Sequence, residues 1–218
     1  MNLCEKIGNN SFWLLADRCM YWEEANALVV SDLHFGKTGH FRKAGIALPQ
    51  NLYRNDLMRL FNAIQQYRAS QVIIVGDLFH SKENRELDLF SRWRQDISGV
   101  DLLLIKGNHD ILPRKWYETS DIQVFDQHHT LNGICFTHDM NTASCEADGN
   151  VHYYISGHIH PGISISGPAR QQLQFPCFHF TPQYAVLPAF SHFTGLYMIR
   201  PAAGDKTYAI VNKSIIAV

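Results

Sequence analysis

The sequence predicts an α/β fold in which two packed β-sheets are flanked by helices, within one domain spanning residues 1–218. Three observations carry this expectation. The first half alternates short apolar runs with two amphipathic segments and reads strand–helix–strand–helix–strand. The second half is a close succession of apolar runs with little room for helices between them, so a mostly antiparallel layer has to bury one face against the first. Hydrophobic residues make up 46% of the 218 and charged residues 18%, enough for a sizeable core and incompatible with a disordered or rod-like chain.

In chain order, apolar or β-branched runs bounded by Gly, Asp, Pro or Asn mark strands at 12–16, 27–30, 72–75, 102–105, 134–136, 153–155, 184–187, 196–199 and 208–211. Pro49 opens a helix over 50–68, which sets Leu57, Leu60, Phe61 and Ile64 at three- and four-residue spacing. A second helix over 84–97 places Leu87, Phe90, Trp93 and Ile97 on one face. No repeat, low-complexity stretch or linker divides the chain.

Composition narrows the function classes. Nineteen Lys+Arg against twenty Asp+Glu give a net charge of −1, which argues against a protein held on nucleic acid by bulk positive charge but leaves room for a local basic cleft. That cleft belongs in the first half, because residues 1–115 carry fifteen basic and thirteen acidic side chains while residues 116–218 carry four and seven. The five cysteines (Cys4, Cys19, Cys135, Cys145 and Cys177) are scattered without a C-x-x-C pair, which reads as reduced thiols in a cytoplasmic protein. No early apolar stretch matches a signal peptide, and none reaches the roughly 20 residues of a membrane span. The expectation is a cytoplasmic protein with no membrane partner.

The polar residues that close the strands are more specific. Residues 27–30 lead to Ser31-Asp32-Leu33-His34, 72–75 to Gly76-Asp77, and 102–105 to Lys106-Gly107-Asn108-His109-Asp110. Residues 134–136 lead to Thr137-His138, and 153–155 to Ser156-Gly157-His158-Ile159-His160. Ligands of open α/β sheets sit outside the carboxyl ends of strands, so these residues are expected on one rim. Asp32 and His34, two apart, point the same way in extended backbone and can share an ion, as can His158 and His160. Asp77 is the candidate bridge between two ions, because a carboxylate has two oxygens. Asn108 and His138 supply further oxygen and nitrogen donors. A set without thiolate suits two divalent ions, Mn²⁺ foremost, with Fe²⁺ or Zn²⁺ sharing the same donors.

Two such ions outweigh two carboxylates and a hydroxide, so the site favours an anionic phosphate. They lower the pKa of bound water toward about 7 and thereby supply the nucleophile. His109 is assigned leaving-group protonation or charge stabilisation, with Asp110 orienting its ring. Lys37, Arg42 and Lys43, in the basic loop after the first motif, and His80, three residues past Asp77, are candidate substrate contacts. The remaining histidines at 128, 129, 152, 179 and 192 read as structural or surface residues, and Arg85, Arg92 and Arg94 as a solvated helix face.

The ordered motifs D-L-H, G-D, G-N-H-D, H and G-H-I-H, over residues 32–160, resemble those of the calcineurin-like metallophosphoesterase superfamily. The resemblance implies a four-layer α/β/β/α sandwich. It implies one metal on Asp32, His34, Asp77 and His160, and the other on Asp77, Asn108, His138 and His158. Residues 31–45, the segment Gly76-Asp77-Leu78-Phe79-His80, and residues 187–195 further resemble the ligase-associated DNA damage response metallophosphoesterases, or endonucleases, of bacteria. That resemblance implies a two-metal phosphoesterase acting on phosphodiester bonds, a nuclease for single-stranded DNA linked to repair, in company with DNA ligase and helicase. A nucleotide or cyclic-nucleotide phosphodiesterase is the alternative, favoured by the near-neutral charge. A non-catalytic scaffold would have lost ligands, and here none is missing. A lipid-directed relative would need room for a helical cap, and only 27 residues separate Asp110 from His138 and 19 separate His138 from His158.

Overall fold

The computed structural model describes residues 3–35, 52–80, 84–142, 150–167 and 171–218. Its first sheet keeps chain order. Strands β1 (Leu3–Ile7), β2 (Asn10–Leu15), β3 (Cys19–Trp22) and β4 (Ala27–Val30) form an antiparallel meander. From β4 the sheet continues in parallel through β5 (Gln71–Val75), β6 (Asp101–Ile105) and β7 (Ile122–Phe125). Helices α1 (Leu52–Tyr67), α2 (Asn84–Asp96) and α3 (Arg114–Thr119) lie in the three connections between the parallel strands.

The second sheet is built from β8 (His128–Leu131), β9 (Ile134–Thr137), β10 (Tyr153–Ser156), β11 (Pro161–Ser166), β12 (Gln172–Phe180), β13 (Tyr184–Val186) and β14 (Tyr197–Met198). These strands are ordered β14-β11-β12-β13-β10-β9-β8, and the hairpin β15 (Lys206–Val211) and β16 (Ser214–Ala217) joins through β12. Within it β9, β10 and β13 run parallel. The two mixed sheets of an α/β fold are therefore present. Among the described residues the α-helices pack on the first sheet.

Side-chain alternation explains the layering. Along β4, Leu28 and Val30 face α1 and α2, while Ala27 and Val29 face the second sheet. Along β5, Val72 and Ile74 take the helix side, and Ile73 and Val75 the sheet side. A parallel strand covered on both faces has no polar side to show, so its sequence is a continuous apolar run. Leu57, Leu60 and Ile64 of α1 and Phe90 and Trp93 of α2 close the outer core, at the spacing the sequence predicts. Between the sheets, Phe12, Trp22, Phe136, Phe178 and Phe180 fill the inner core.

Several elements left no apolar run to read. β1 carries Glu5 and Lys6, β8 is half-buried along its whole length, and β12 begins with exposed Gln172, Leu173 and Gln174. The strand expected at 196–199 contracts to β14. Arg94, expected on a solvated face, is instead buried: it donates to Ile97 O at 2.7 Å and pairs with Asp121 at 2.7 Å. Among the described residues Cys4, Cys19 and Cys177 are free thiols, but Cys135, expected reduced, is disulfide-bonded. A bridge between cysteines with no motif spacing leaves no signal in sequence. No helix among the described residues is long and apolar enough to cross a membrane.

Candidate metal centre

Matched strand ends build the site. β4, β5 and β6 are paired in register, so Asp32, Asp77 and the turn at Asn108 leave the first sheet at one level. β9 and β10 are likewise in register and deliver His138 and His158 from the second sheet. The pairing runs on past the strands: Asp32 N–H donates to Gly76 O at 3.1 Å, His34 N–H to Asp77 O at 2.8 Å and Gly157 N–H to His138 O at 3.2 Å. Bonds also join the two sheets at the site itself: His158 N–H donates to Asp32 Oδ2 at 3.0 Å, and His138 Nδ1 lies 3.1 Å from Val75 O.

The backbone turns sharply where the ligands sit. Asp32 (φ 53°), His34 (φ 49°), Asp77 (φ 51°), His158 (φ 71°) and His160 (φ 51°) all occupy the left-handed region. The sequence argument aimed Asp32 and His34 by extended geometry. The structure instead alternates left-handed residues around the buried Leu33, so these side chains are aimed by turns. Asp and His tolerate this region better than most side chains, and such residues collect where a site over-determines them.

Convergence is tight. Asp32 Oδ1 lies 3.2 Å from His160 Nε2, and His34 Nε2 lies 3.3 Å from the same nitrogen. Asp77 Oδ2 lies between the two halves, 3.5 Å from His138 Nε2 and 3.9 Å from His34 Nε2. His158 Nδ1 is 3.2 Å from His138 Nε2. Asp32, His34 and His160 form one group able to hold a cation, and Asp32, Asp77 and His138 another. Asp32 Oδ1 is buried yet accepts no hydrogen bond, which is the state of an oxygen aimed at a metal. The oxygen and nitrogen donors fit hard or borderline divalent ions.

Electrostatics point the same way. Burial alone would raise both carboxylates, but the imidazoles outweigh it: His160 holds Asp32 below the usual carboxylate range, and His138 holds Asp77 well below it. Burial opposes a proton on His138, yet the Asp77 carboxylate raises it to about 9. Ionised carboxylates facing imidazoles that must shed protons to ligate are the donor set a divalent cation captures.

The other expected residues fall in different places. His109 is half-exposed; its N–H donates to Asp77 Oδ1 at 2.9 Å, and its Nε2 lies 4.0 Å from Asp77 Oδ2. His80 packs beside it with ring centroids 4.2 Å apart. The Asn108 side chain is exposed. Asp110 departs from its assignment. It is buried, and its two oxygens accept from Phe79 N–H at 3.1 Å and Gly107 N–H at 2.9 Å, so it ties together the loops bearing Asp77 and Asn108 instead of orienting the His109 ring. Lys37, Arg42 and Lys43 lie outside the described residues.

Sequence reasoning passed over the supports. The Ser31 hydroxyl is buried within reach of Asp32 Oδ2 at 2.5 Å and Val75 O at 2.8 Å, and can donate to only one of them. A Cβ on Gly157 would stand 1.7 Å from Ser31 Oγ, and one on Gly107 2.2 Å from Asp77 Oδ1, so both positions need glycine for close approach. Phe190 N–H and Ser191 N–H donate to Ser31 O and Asp32 O, bracing the first ligand turn from outside. The small residues beside each acid carried the first part of this signal. The brace, more than 150 residues away in sequence, falls in the segment 187–195 that carries the family resemblance, but nothing in that segment pointed to its contact with Asp32.

Residues 25–122 match the family model for calcineurin-like phosphoesterases. The chain superposes on the crystal structure of a nuclease from Pseudomonas putida, MPE, at a TM-score of 0.83 with 28% identity, over 100% of both chains. A phosphoesterase from E. coli, Yfce, aligns over 88% of this chain and 96% of its own at 16% identity and a TM-score of 0.46. No curated protein sequence gives a significant match.

Proposed function

We propose that this chain, whose residues 25–122 match the calcineurin-like phosphoesterase family model, is a two-metal phosphodiesterase that cleaves single-stranded DNA. The observation that carries the reading is the convergence of Asp32, His34, Asp77, His138 and His160 at the facing strand ends of two sheets, with Asp77 Oδ2 lying between His34 and His138. Similarity over the whole chain to a nuclease supports a nucleic acid as the substrate, and single-stranded DNA is the choice the family resemblance implies.

Asp32, His34, Asp77 and His160 would hold one ion, and Asp77, His138 and His158, with Asn108 swung in from its exposed turn, the other. Bound there, Mn²⁺ or a similar ion supplies Lewis acidity and a nucleophile derived from water at neutral pH. The chain's own residues do the rest. Ser31 and the His158 N–H fix Asp32 through its Oδ2, leaving Oδ1 free to ligate. The His109 N–H fixes Asp77 Oδ1, leaving Oδ2 between the imidazoles. His109 stands at the open side of the centre, where its ring can give a proton to the departing oxygen; an alkoxide leaves poorly without one. His80, packed on His109, limits the ring's orientations.

The deciding experiment is Mn²⁺-dependent hydrolysis of a single-stranded oligonucleotide beside a 2′,3′-cyclic nucleotide, with Asp77→Asn as the control for contaminating nuclease. Cleavage of the oligonucleotide that vanishes in the variant supports the nuclease. Turnover of the cyclic nucleotide alone replaces it with a nucleotide phosphodiesterase, the reading that the net charge of −1 favours. A link to DNA repair with ligase and helicase, and a cytoplasmic location, are proposals that rest on the family resemblance.

A further inference from the structure

Beside the metal centre lies a cleft of about 730 Å³ whose walls are α1, the β2–β3 turn, the β15–β16 turn and His192. Its charged groups are Arg18, Arg59 and Lys213 against Asp17 and, beside the cleft, Asp56. Asp56 is taken up by Arg59 at 3.2 Å, so the remaining charge is positive. Exposed Asn62 and Gln66 of α1 add amide donors along the same wall.

The cleft is joined to the catalytic rim by one segment. Arg18 Nη1 donates to Ser191 O at 2.8 Å, and the Arg59 guanidinium stacks 4.0 Å over the Phe190 ring and donates to Phe190 O. The N–H groups of the same two residues, Phe190 and Ser191, hold Ser31 O and Asp32 O. The cleft wall is thus the outer side of the brace on the first metal ligand.

The two turns that face the cleft place cations where glycine is the low-cost residue. The β15–β16 turn is Asn212 (φ 45°) and Lys213 (φ 63°), the same two-residue left-handed turn that β8–β9 makes with Asn132 (φ 50°) and Gly133 (φ 77°). In the β2–β3 turn, which joins Leu15 to Cys19, the left-handed position is Arg18 (φ 65°). A lysine and an arginine at such positions cost stability, and nothing in the packing of the exposed Lys213 explains its presence.

We propose that this cleft is a backbone subsite, in which Lys213 and the α1 amides, in the positive field of Arg18, hold phosphates of the DNA strand away from the scissile bond. The proposal rests on the nuclease reading above and deepens it: the protein would recognise a polynucleotide by its length.

The test is fluorescence anisotropy of a labelled single-stranded 20-mer with the full chain in EDTA, where no turnover occurs, across 50 to 200 mM salt. Lys213→Glu is expected to weaken binding about threefold to fivefold and to reduce the slope of log affinity against log salt by about 0.7, the share of one phosphate contact. Asn62→Asp should weaken binding in the same direction. Lys213→Gly should weaken binding while melting no lower than wild type, a combination that a purely structural lysine would not give. Wild-type affinity and salt slope in Lys213→Glu and Asn62→Asp would overturn the proposal, as would failure of the wild type to bind the 20-mer. A parallel arm, hydrolysis by the wild type with Mn²⁺ of bis(p-nitrophenyl) phosphate, which is too small to span centre and cleft, separates the two readings. Hydrolysis of bis(p-nitrophenyl) phosphate without 20-mer binding removes the subsite and leaves the phosphodiesterase centre, whereas no hydrolysis of it, nor of the 20-mer when Mn²⁺ replaces EDTA, removes the nuclease reading itself.

Discussion

Asp77 shows how much rests on single residues. One oxygen takes the His109 N–H and the other faces His34 and His138, so Asp77→Asn replaces an ionised bridge by a neutral amide and should lower turnover by at least about a thousandfold. Steady-state rates with metal content measured alongside would check this. His109 is placed differently, exposed and in contact with Asp77 only at 4.0 Å through its ring. His109→Ala should slow turnover about a hundredfold or more with metal content unchanged, and loss of metal would assign it a ligand role. Gly157→Ala tests the tight approach to Ser31 Oγ at 1.7 Å. Its Cβ has to displace Ser31 or Asp32, so bound metal should fall and the melting temperature with it, whereas a silent substitution would mean that the turn relaxes freely.

At the scale of elements, turns and helix ends carry the testable tension. Lys213 in a left-handed turn gives up what glycine would not, and Lys213→Gly should stabilise the chain by about 0.5–1 kcal/mol, read by denaturant unfolding. On α1, burial pushes the Asp56 carboxyl up to about 6 against the pull of Arg59 and Arg18. A folded-state value above the unfolded 3.8 means that the folded chain binds the extra proton, so the stability associated with Asp56 is present below pH 4 and is lost as pH rises through about 6. The difference in unfolding free energy, Asp56→Asn minus wild type, should therefore grow between pH 4 and pH 7, by an amount on the order of 1–2 kcal/mol, read by denaturant unfolding. A difference that shrinks would show the Arg59 pair outweighing desolvation. The same contrast between pattern and context explains which elements could be read beforehand. β4, β5, α1 and α2 are covered by apolar neighbours and write that into their sequence. β1, β8 and the start of β12 are half exposed, and their residues have to satisfy water as well as the sheet.

For the whole molecule, the candidate metal centre is also a clasp between two sheets. Asp32 and Asp77 come from the first, and His138, His158 and His160 from the second, so cations bound there hold the folded state together at one end of the inner core. Mn²⁺ at about a hundred times its dissociation constant should stabilise the chain by about 2.7 kcal/mol per site, several degrees in melting temperature, and EDTA should reverse it. The absence of any such shift in calorimetry would separate these residues from metal binding. The sequence by itself determined the layered α/β class, the two long helices and the polar residues that close each buried strand, because hydrophobic period and strand-end chemistry are local and every local choice agrees with the fold. Only the tertiary structure decided how those residues meet. Left-handed turns, not extended backbone, aim the candidate ligands; Asp110 ties loops; and Phe190 and Ser191, held by Arg59 and Arg18, brace the turn at Asp32 from across the chain. The physical reason is that these contacts join residues far apart in sequence, and no periodicity or spacing within one segment encodes which distant carbonyl a guanidinium will find.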